Sequence, residues 1–541
     1  MPPRRSSQRW APRRPRVAIP GRASTGSRPE TGGGEARRAA VDGTSRPARG
    51  PAGSGHDGPP RPRFAYKWVA LSVTTLGAAM AAIDSSIVVL GLPTIMTDLR
   101  SDLVTMVWVL MSYILMSTIF LMLFGRLADM FGRVRMYNLG FGVFTVGSLL
   151  CALAGSGPQL VLFRLVQGVG GAMLMANGMA IITEAFPRGE RGRAMGINSI
   201  TWAVGSIVGP VAGGLILAVL SWRWIFLVNV PVGILGTAWG YVALHEIGQP
   251  RRGERFDIRG MALFSGGISC LLVALSQGIS WGWLSPGILA LGAGFVVLEG
   301  LFVLSERAPG AHFIEPALFR SRIFAFSTAA ATLQSLSMFA VNFLLVFYLQ
   351  GVKGVSPFQA ALMILPLSLV QSVVGPIGGT LSDRVGARVP ATAGLLLQAI
   401  ACVILAQLAA DSPYPVLLGG LLVLGLGGGL FWSPNTSAVM SAAPLERLGV
   451  ASATLATFRQ TGMVTSFALA LAVAAAAIPG RLVGEIFLGT SVQLGAPVMS
   501  AFTVGMAHAL VVSALIVVVA SSMTFIAGDT ARTRQAHAQA A

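Results

Sequence analysis

Charge is scarce in this 541-residue sequence, at 11% of positions, and lysine is almost missing from it: Lys67 and Lys353 are the two. No GxxxxGK[S/T] phosphate loop occurs, which argues against ATP hydrolysis by the chain as a source of work. The three cysteines, Cys151, Cys270 and Cys402, fall inside apolar runs at unrelated spacings, so neither a disulfide framework nor a metal site is indicated. They read as small buried hydrophobes. No apolar run holds a His, Cys or Ser cluster with catalytic or metal-ligand spacing, which argues against an integral-membrane enzyme.

What is abundant is apolar surface. Hydrophobic residues make up 54% of the chain and the mean hydropathy is +0.71. Runs of about 20 apolar residues recur from Trp68 to Ala527, each long enough to cross a bilayer as a helix. Fourteen spans are predicted, at 68–92, 104–124, 136–154, 160–183, 194–217, 224–244, 260–279, 284–304, 324–349, 358–378, 390–409, 414–440, 452–477 and 504–526. With both termini cytoplasmic, the inner loops and tail carry eighteen arginines, whereas the outer loops carry Arg100, Arg223, Lys353 and Arg481. That is the positive-inside pattern, and it places the protein in the cell membrane as a multi-pass chain.

Residues 1–63 are a different material, rich in Arg, Pro, Gly and Ser. Residues 1–67 contain fifteen basic residues against Glu30, Glu35, Asp42 and Asp57, so this stretch supplies +11 of the formal +18. It cannot bury enough apolar surface to fold and has no signal-peptide core, so a solvated cytoplasmic tail is expected. The excess positive charge thus reflects topology and tail, and no nucleic-acid partner is expected.

The sequence also repeats itself. GRLADMFGRVR at Gly125–Arg135 returns as GTLSDRVGAR at Gly379–Arg388, with Gly125, Leu127, Asp129 and Gly132 matched to Gly379, Leu381, Asp383 and Gly386 at an offset of 254. LVQGVGGAM at Leu165–Met173 matches LVLGLGGGL at Leu422–Leu430 at 257, and Glu190 and Arg191 match Glu446 and Arg447 at 256. Eight spans separate the two polar loops, where two six-span halves joined directly would leave six. The expected plan is therefore 6+2+6: an N-terminal half over 64–247, two inserted helices with their linker over 248–308, a C-terminal half over 309–527, and a tail over 528–541. Paired parallel halves are a build of secondary transporters.

GRLADMFGRVR, FRLVQGVGGA at Phe163–Ala172, GSIVGPVAGG at Gly205–Gly214, WVLMSY from Trp108, WRWIFLVNVPVG from Trp222 and YLQGVKGVSP from Tyr348 together resemble the fourteen-span drug:proton antiporters of the major facilitator superfamily. The resemblance covers about Phe64 to Ala527. It implies an all-α polytopic fold of 14 transmembrane helices, export of hydrophobic or amphiphilic compounds driven by the proton gradient, no cofactor or metal, and a monomer whose partners are protons, a small-molecule substrate and the lipid bilayer. The family usually has Thr, Asn and Ala where this chain has Ser86, Val89 and Gly91.

Candidate site residues follow. Asp84 lies about seventeen residues into the first span, where an ionised carboxylate is costly, and is the leading proton carrier; the other reading is a helix-end carboxylate in contact with water. Arg164 cannot lose its proton and must face a cavity or a partner. Arg164 and Gln167 map to Leu421 and Leu424 in the second half, so the polar pair belongs to one half only, as coupling chemistry would have it; a snorkelling arginine is the alternative. The resemblance likewise assigns this arginine to proton coupling. In the repeated loops, Gly125, Arg126, Asp129, Gly132, Arg133, Gly379, Asp383 and Gly386 either form a gating latch, with the glycines admitting close helix approach, or serve topology through their arginines. Gly205, Gly209, Pro210, Gly213 and Gly214 either let helices pack tightly or, by the resemblance, mark an exporter. Asn342, Phe343, Phe347 and Arg459 are candidates for the substrate pocket, with core packing and snorkelling as the competing readings. Besides a broad exporter, two functions stay open: a dedicated exporter of one endogenous metabolite or lipid, and a membrane sensor that keeps the fold without transporting.

Overall fold

The computed structural model describes residues 63–187, 190–246, 257–307, 313–444, 447–476 and 496–528. The expected tails, apart from Arg63 and Gly528, lie outside these residues. Among the described residues there are helices and no strands, as hydrocarbon demands of a chain that must satisfy its own backbone hydrogen bonds. The helices are α1 (Arg63–Asp98), α2 (Leu103–Phe131), α3 (Arg133–Ala152), α4 (Gly157–Ala185), α5 (Arg191–Val219), α6 (Trp224–Leu227), α7 (Asn229–Ala243), α8 (Ile258–Trp281), α9 (Pro286–Ser305), α10 (Arg322–Phe347), α11 (Pro357–Val385), α12 (Arg388–Leu405), α13 (Tyr414–Ala442), α14 (Leu448–Ala476) and α15 (Ala496–Ala527).

Thirteen segments among the described residues are long and apolar enough to cross a membrane, with α6 and α7 counted together. The fourteenth expected span is α14, which falls short of that apolarity because Arg459, Gln460 and several threonines interrupt it. The sixth span, expected as one helix, is one apolar segment over Trp224–Ala243; its hydrogen-bond ladder loosens at Val228, which keeps helical φ and ψ, because Pro231 has no N–H to donate to the Leu227 carbonyl. Asn229, in this turn, matters below.

The repeat in the sequence reappears in packing. In the first half α4 packs on α2 and α3, and α1 packs on α5; in the second half α13 packs on α11 and α12, and α10 packs on α14. Small residues allow the close approaches: a Cβ on Gly140 would collide with Met173 and Leu174, and one on Gly394 with Gly427 and Phe431. The turn at the end of the second helix is also repeated. Gly132 (φ 108°) leads α2 into α3, and Gly386 (φ 87°) leads α11 into α12, a backbone region that side chains with a Cβ rarely adopt.

The inserted helices α8 and α9 pack on each other, and α8 lies against α14 and, to a lesser extent, α2. Trp108 of α2 donates from Nε1 to the Ser276 hydroxyl at 3.2 Å. Asp257 caps α8 by accepting from the Gly260 N–H at 2.9 Å.

Candidate functional site

Asp84, Arg164 and Gln167 come from α1 and α4 and meet in the interior of the first half, at 0%, 1% and 0% exposure. One Asp84 oxygen accepts from Arg164 at 2.7 Å. The other accepts from Gln167 Nε2 at 2.8 Å and from Asn229 Nδ2 at 2.9 Å. Gln167 returns its carbonyl to Arg164 at 2.6 Å and also donates to the Ser148 hydroxyl at 2.8 Å. Arg164 spends its Nε–H on the Val109 carbonyl at 3.1 Å, and its guanidinium lies over the Tyr113 ring at 4.3 Å. Five elements, α1, α2, α3, α4 and α7, are therefore tied to one ion pair. A buried cation and anion persist in such surroundings only with further hydrogen bonds around them, and here both carboxylate oxygens and three of the five guanidinium N–H groups have partners. Sequence reasoning missed Asn229, Ser148 and the Val109 carbonyl. Asn229 stands in the quoted WRWIFLVNVPVG stretch, but nothing in that stretch states its partner.

The two repeated loops differ. In the first, Arg133 donates to Asp129 from Nε at 2.9 Å and from a terminal nitrogen at 2.7 Å, and to Glu184 at the end of α4 at 2.8 Å. Glu246, after α7, accepts from the Arg135 backbone N–H at 3.0 Å. All these partners belong to the first half. Asp129 pairs with the arginine one turn away instead of capping a neighbouring helix. In the second loop Asp383 is exposed and has no side-chain hydrogen bond or ion pair among the described residues. The reason is in the repeat: Ala387 stands where Arg133 does, and Ser441 where Glu184 does. The expected close approach at the glycines occurs at Gly379, which faces Ser433, but a Cβ on Gly125 would meet nothing within 4 Å. Gly125 therefore has no neighbouring helix packed against it in this conformation. Arg126 is partly buried.

The small-residue motif of α5 serves two interfaces. Gly205, Gly209 and Gly213 lie against Ala82, Ser86 and Ile87 of α1, two turns around Asp84, whereas Gly214 lies against Pro357 and Phe358 of α11 in the other half. Pro210 sits within an α5 that continues past it. Ser86, one of the departures from the family pattern, is the residue that Gly209 faces.

The four pocket candidates separate. Phe343 and Phe347 are buried, 4.8 Å apart, with Phe467 at 6.0 Å from Phe343; they line no open surface in this conformation. Their seat in the core follows from their placement on the face of α10 that packs on α14 and α15. Asn342 is exposed, and Arg459 is partly exposed with its guanidinium 3.8 Å from the Trp432 ring centre. Cys151, Cys270 and Cys402 are free, and no group of three metal-ligating residues exists among the described residues.

A polytopic chain with a repeated helix packing and a buried ion pair in its interior has the build of a secondary membrane transporter. The chain belongs to the Major Facilitator Superfamily, which residues 74–467 match. It is similar to a riboflavin transporter of Clostridioides difficile, 35% identical over 406 residues that cover 75% of this chain and 87% of that protein. It is also similar to the tetracenomycin C resistance and export protein of Streptomyces glaucescens, 32% identical over 420 residues that cover 78% and 77% of the two chains. Among solved structures, a bacterial homolog of the human lysosomal transporter Spinster has the same fold, with a TM-score of 0.62, 18% identity, and 85% of this chain and 97% of that chain covered.

Proposed function

We propose that the protein is a proton-coupled exporter of hydrophobic or amphiphilic small molecules, working by alternating access in the cell membrane with both termini cytoplasmic. The observation that carries this reading is the buried Asp84–Arg164 pair with Gln167 and Asn229 around it. While Asp84 is ionised, its carboxylate neutralises Arg164 and binds α1 to α4 and α7. A proton delivered to Asp84 cancels the attraction and leaves Arg164 as a buried cation that nothing neutralises, a state costly enough to favour rearrangement. The strain reaches α5 directly, because Ala82, Ser86 and Ile87 flank Asp84 on the helix that Gly205, Gly209 and Gly213 hold. Proton loading is thereby linked to the helix whose Gly214 touches the other half. Arg126, Asp129, Arg133 and Glu184 act at the loop end as the latch that each cycle must break and remake.

The test uses inverted membrane vesicles energised to an acid interior. A panel of lipophilic cations, anions and neutral amphiphiles is added while the gradient is followed by a quenched dye, for the wild type and Asp84→Asn at matched expression. Discharge of the gradient in the wild type and its loss in the variant is expected. Equal discharge in both removes Asp84 from coupling.

The riboflavin transporter among the relatives favours a second reading, a dedicated exporter of one metabolite. In that case a single compound discharges the gradient and the rest of the panel does not.

A further inference from the structure

The two interior arginines of the transport core are treated in opposite ways. Arg164 has a carboxylate, an amide oxygen and a backbone carbonyl. Arg459 of α14 has an aromatic face, Trp432 of α13 at 3.8 Å, and no hydrogen-bond acceptor or ion-pair partner among the described residues. It lies eleven residues from Leu448, the start of the 29-residue α14, and seven from the predicted start of the span at 452, so about 10 Å of helix separates it from the loop end of the hydrocarbon core. Level with it, Gly462 packs on Thr332 and Leu336 near the middle of α10. No Asp or Glu occurs in any predicted span of the second half. A guanidinium cannot discard its charge, and inside a span it needs a polar or anionic partner. It is also only partly covered: α14 packs chiefly on α10 and α2 and hardly on α13, so the Arg459–Trp432 stack is a local contact between two helices that otherwise hardly touch. The indole covers one face of the guanidinium and leaves its N–H edge free, which is the edge that binds an oxyanion in bidentate fashion.

We propose that Arg459 and Trp432 form the recognition point for the transported compound, and that this compound carries an oxyanion on an aromatic system, an aryl carboxylate or an ionised phenol. The inference rests on the export reading for its meaning, since the bound compound is taken to be cargo. The anion supplies the charge that the second half lacks, and the ring system extends the stack that Trp432 begins. Cation selectivity then has no home in the second half, and Asp84, already paired, is left to protons.

The test is direct binding, with no gradient. Full-length protein in phosphatidylcholine nanodiscs is titrated calorimetrically with aryl carboxylates of one to four fused rings and with their neutral carboxamides. The wild type should bind at least one carboxylate about tenfold or more tightly than its carboxamide, as a charge-assisted contact supplies. Arg459→Gln should bring the two within about twofold, with unchanged helical circular dichroism and monodisperse elution showing that the variant is folded, and Arg459→Lys should restore part of the preference. Asp84→Asn should keep the preference, so loss of coupling and loss of recognition are separable. Adding phosphatidylglycerol to the discs tests whether a lipid phosphate is the resident anion: a preference that disappears with anionic lipid overturns the proposal. It is equally overturned if no carboxylate binds the wild type or if Arg459→Gln retains the preference.

Discussion

At the scale of single residues, the centre of the first half depends on arginine as a shape as much as a charge. Arg164 reaches the Asp84 carboxylate, the Gln167 carbonyl and the Val109 carbonyl at once while lying on Tyr113. A lysine keeps the charge, but its compact ammonium cannot span three acceptors on three sides or stack on the ring. Losing even one hydrogen bond to a charged group costs about 1.5–3 kcal/mol. Arg164→Lys is therefore expected to lower gradient-driven transport by about tenfold or more at equal expression, read by the same vesicle assay. A variant that keeps more than half of the wild-type rate would show that charge alone suffices. Asp84, Arg164 and Gln167 were legible in the sequence because charged and amide groups at membrane depth need partners, and because the second half has leucines at the matching positions. Asn229 was not legible: an asparagine near a span end has many ordinary uses, and only the packing of its helix against α1 brings this one to Asp84.

At the scale of elements, the repeated loops show where reading a repeat succeeds and where it misleads. Matching glycines foretold matching turns, and Gly132 and Gly386 both adopt positive φ. Matching aspartates suggested matching latches, yet Asp129 is bonded to Arg133 and Asp383 has no such partner, because the side chains around it did not repeat. The ion-paired cluster is a property of the first loop. Asp129→Asn is expected to leave insertion and expression unchanged, since the Asp129–Arg133 pair is about 29% exposed on each side and exposed pairs contribute about 1 kcal/mol or less. It should nevertheless slow turnover several-fold, because Arg133 loses the partner that orients it toward Glu184. Asp383→Asn should have a smaller effect. Transport by purified protein in liposomes distinguishes the two; equal effects would mean that both aspartates serve the same step in another conformation. The aromatic residues of α10 were legible as apolar and not as core or pocket: Phe343 and Phe347 differ from a lining pair only in what faces them.

At the scale of the whole molecule, the two halves meet along α2 and α14 and where α5 and α11 approach at the end away from the repeated loops, and Gln350 donates to the Leu90 carbonyl at 3.0 Å across the same boundary. Toward the loop end, Val204 and Val208 of α5 and Val373 and Ile377 of α11 are exposed. The contact is close enough to admit only glycine: a Cβ on Gly214 would lie 2.7 Å from the Phe358 Cα and 3.2 Å from the Pro357 carbonyl oxygen. Both neighbours are backbone, which cannot swing aside as a side chain can. Each nearest neighbour belongs to the other half, so enlarging Gly214 leaves the packing within either half untouched. Gly214→Val is therefore expected to fold and insert normally, to keep ligand binding, and to stop cycling, because this pair of helix ends can no longer close. A transport rate about tenfold lower with unchanged binding in nanodiscs is the expected result. Unimpaired transport would mean that the α5–α11 contact is not one that the cycle has to make, and the link from Asp84 through α1 and α5 to the second half would have to run elsewhere.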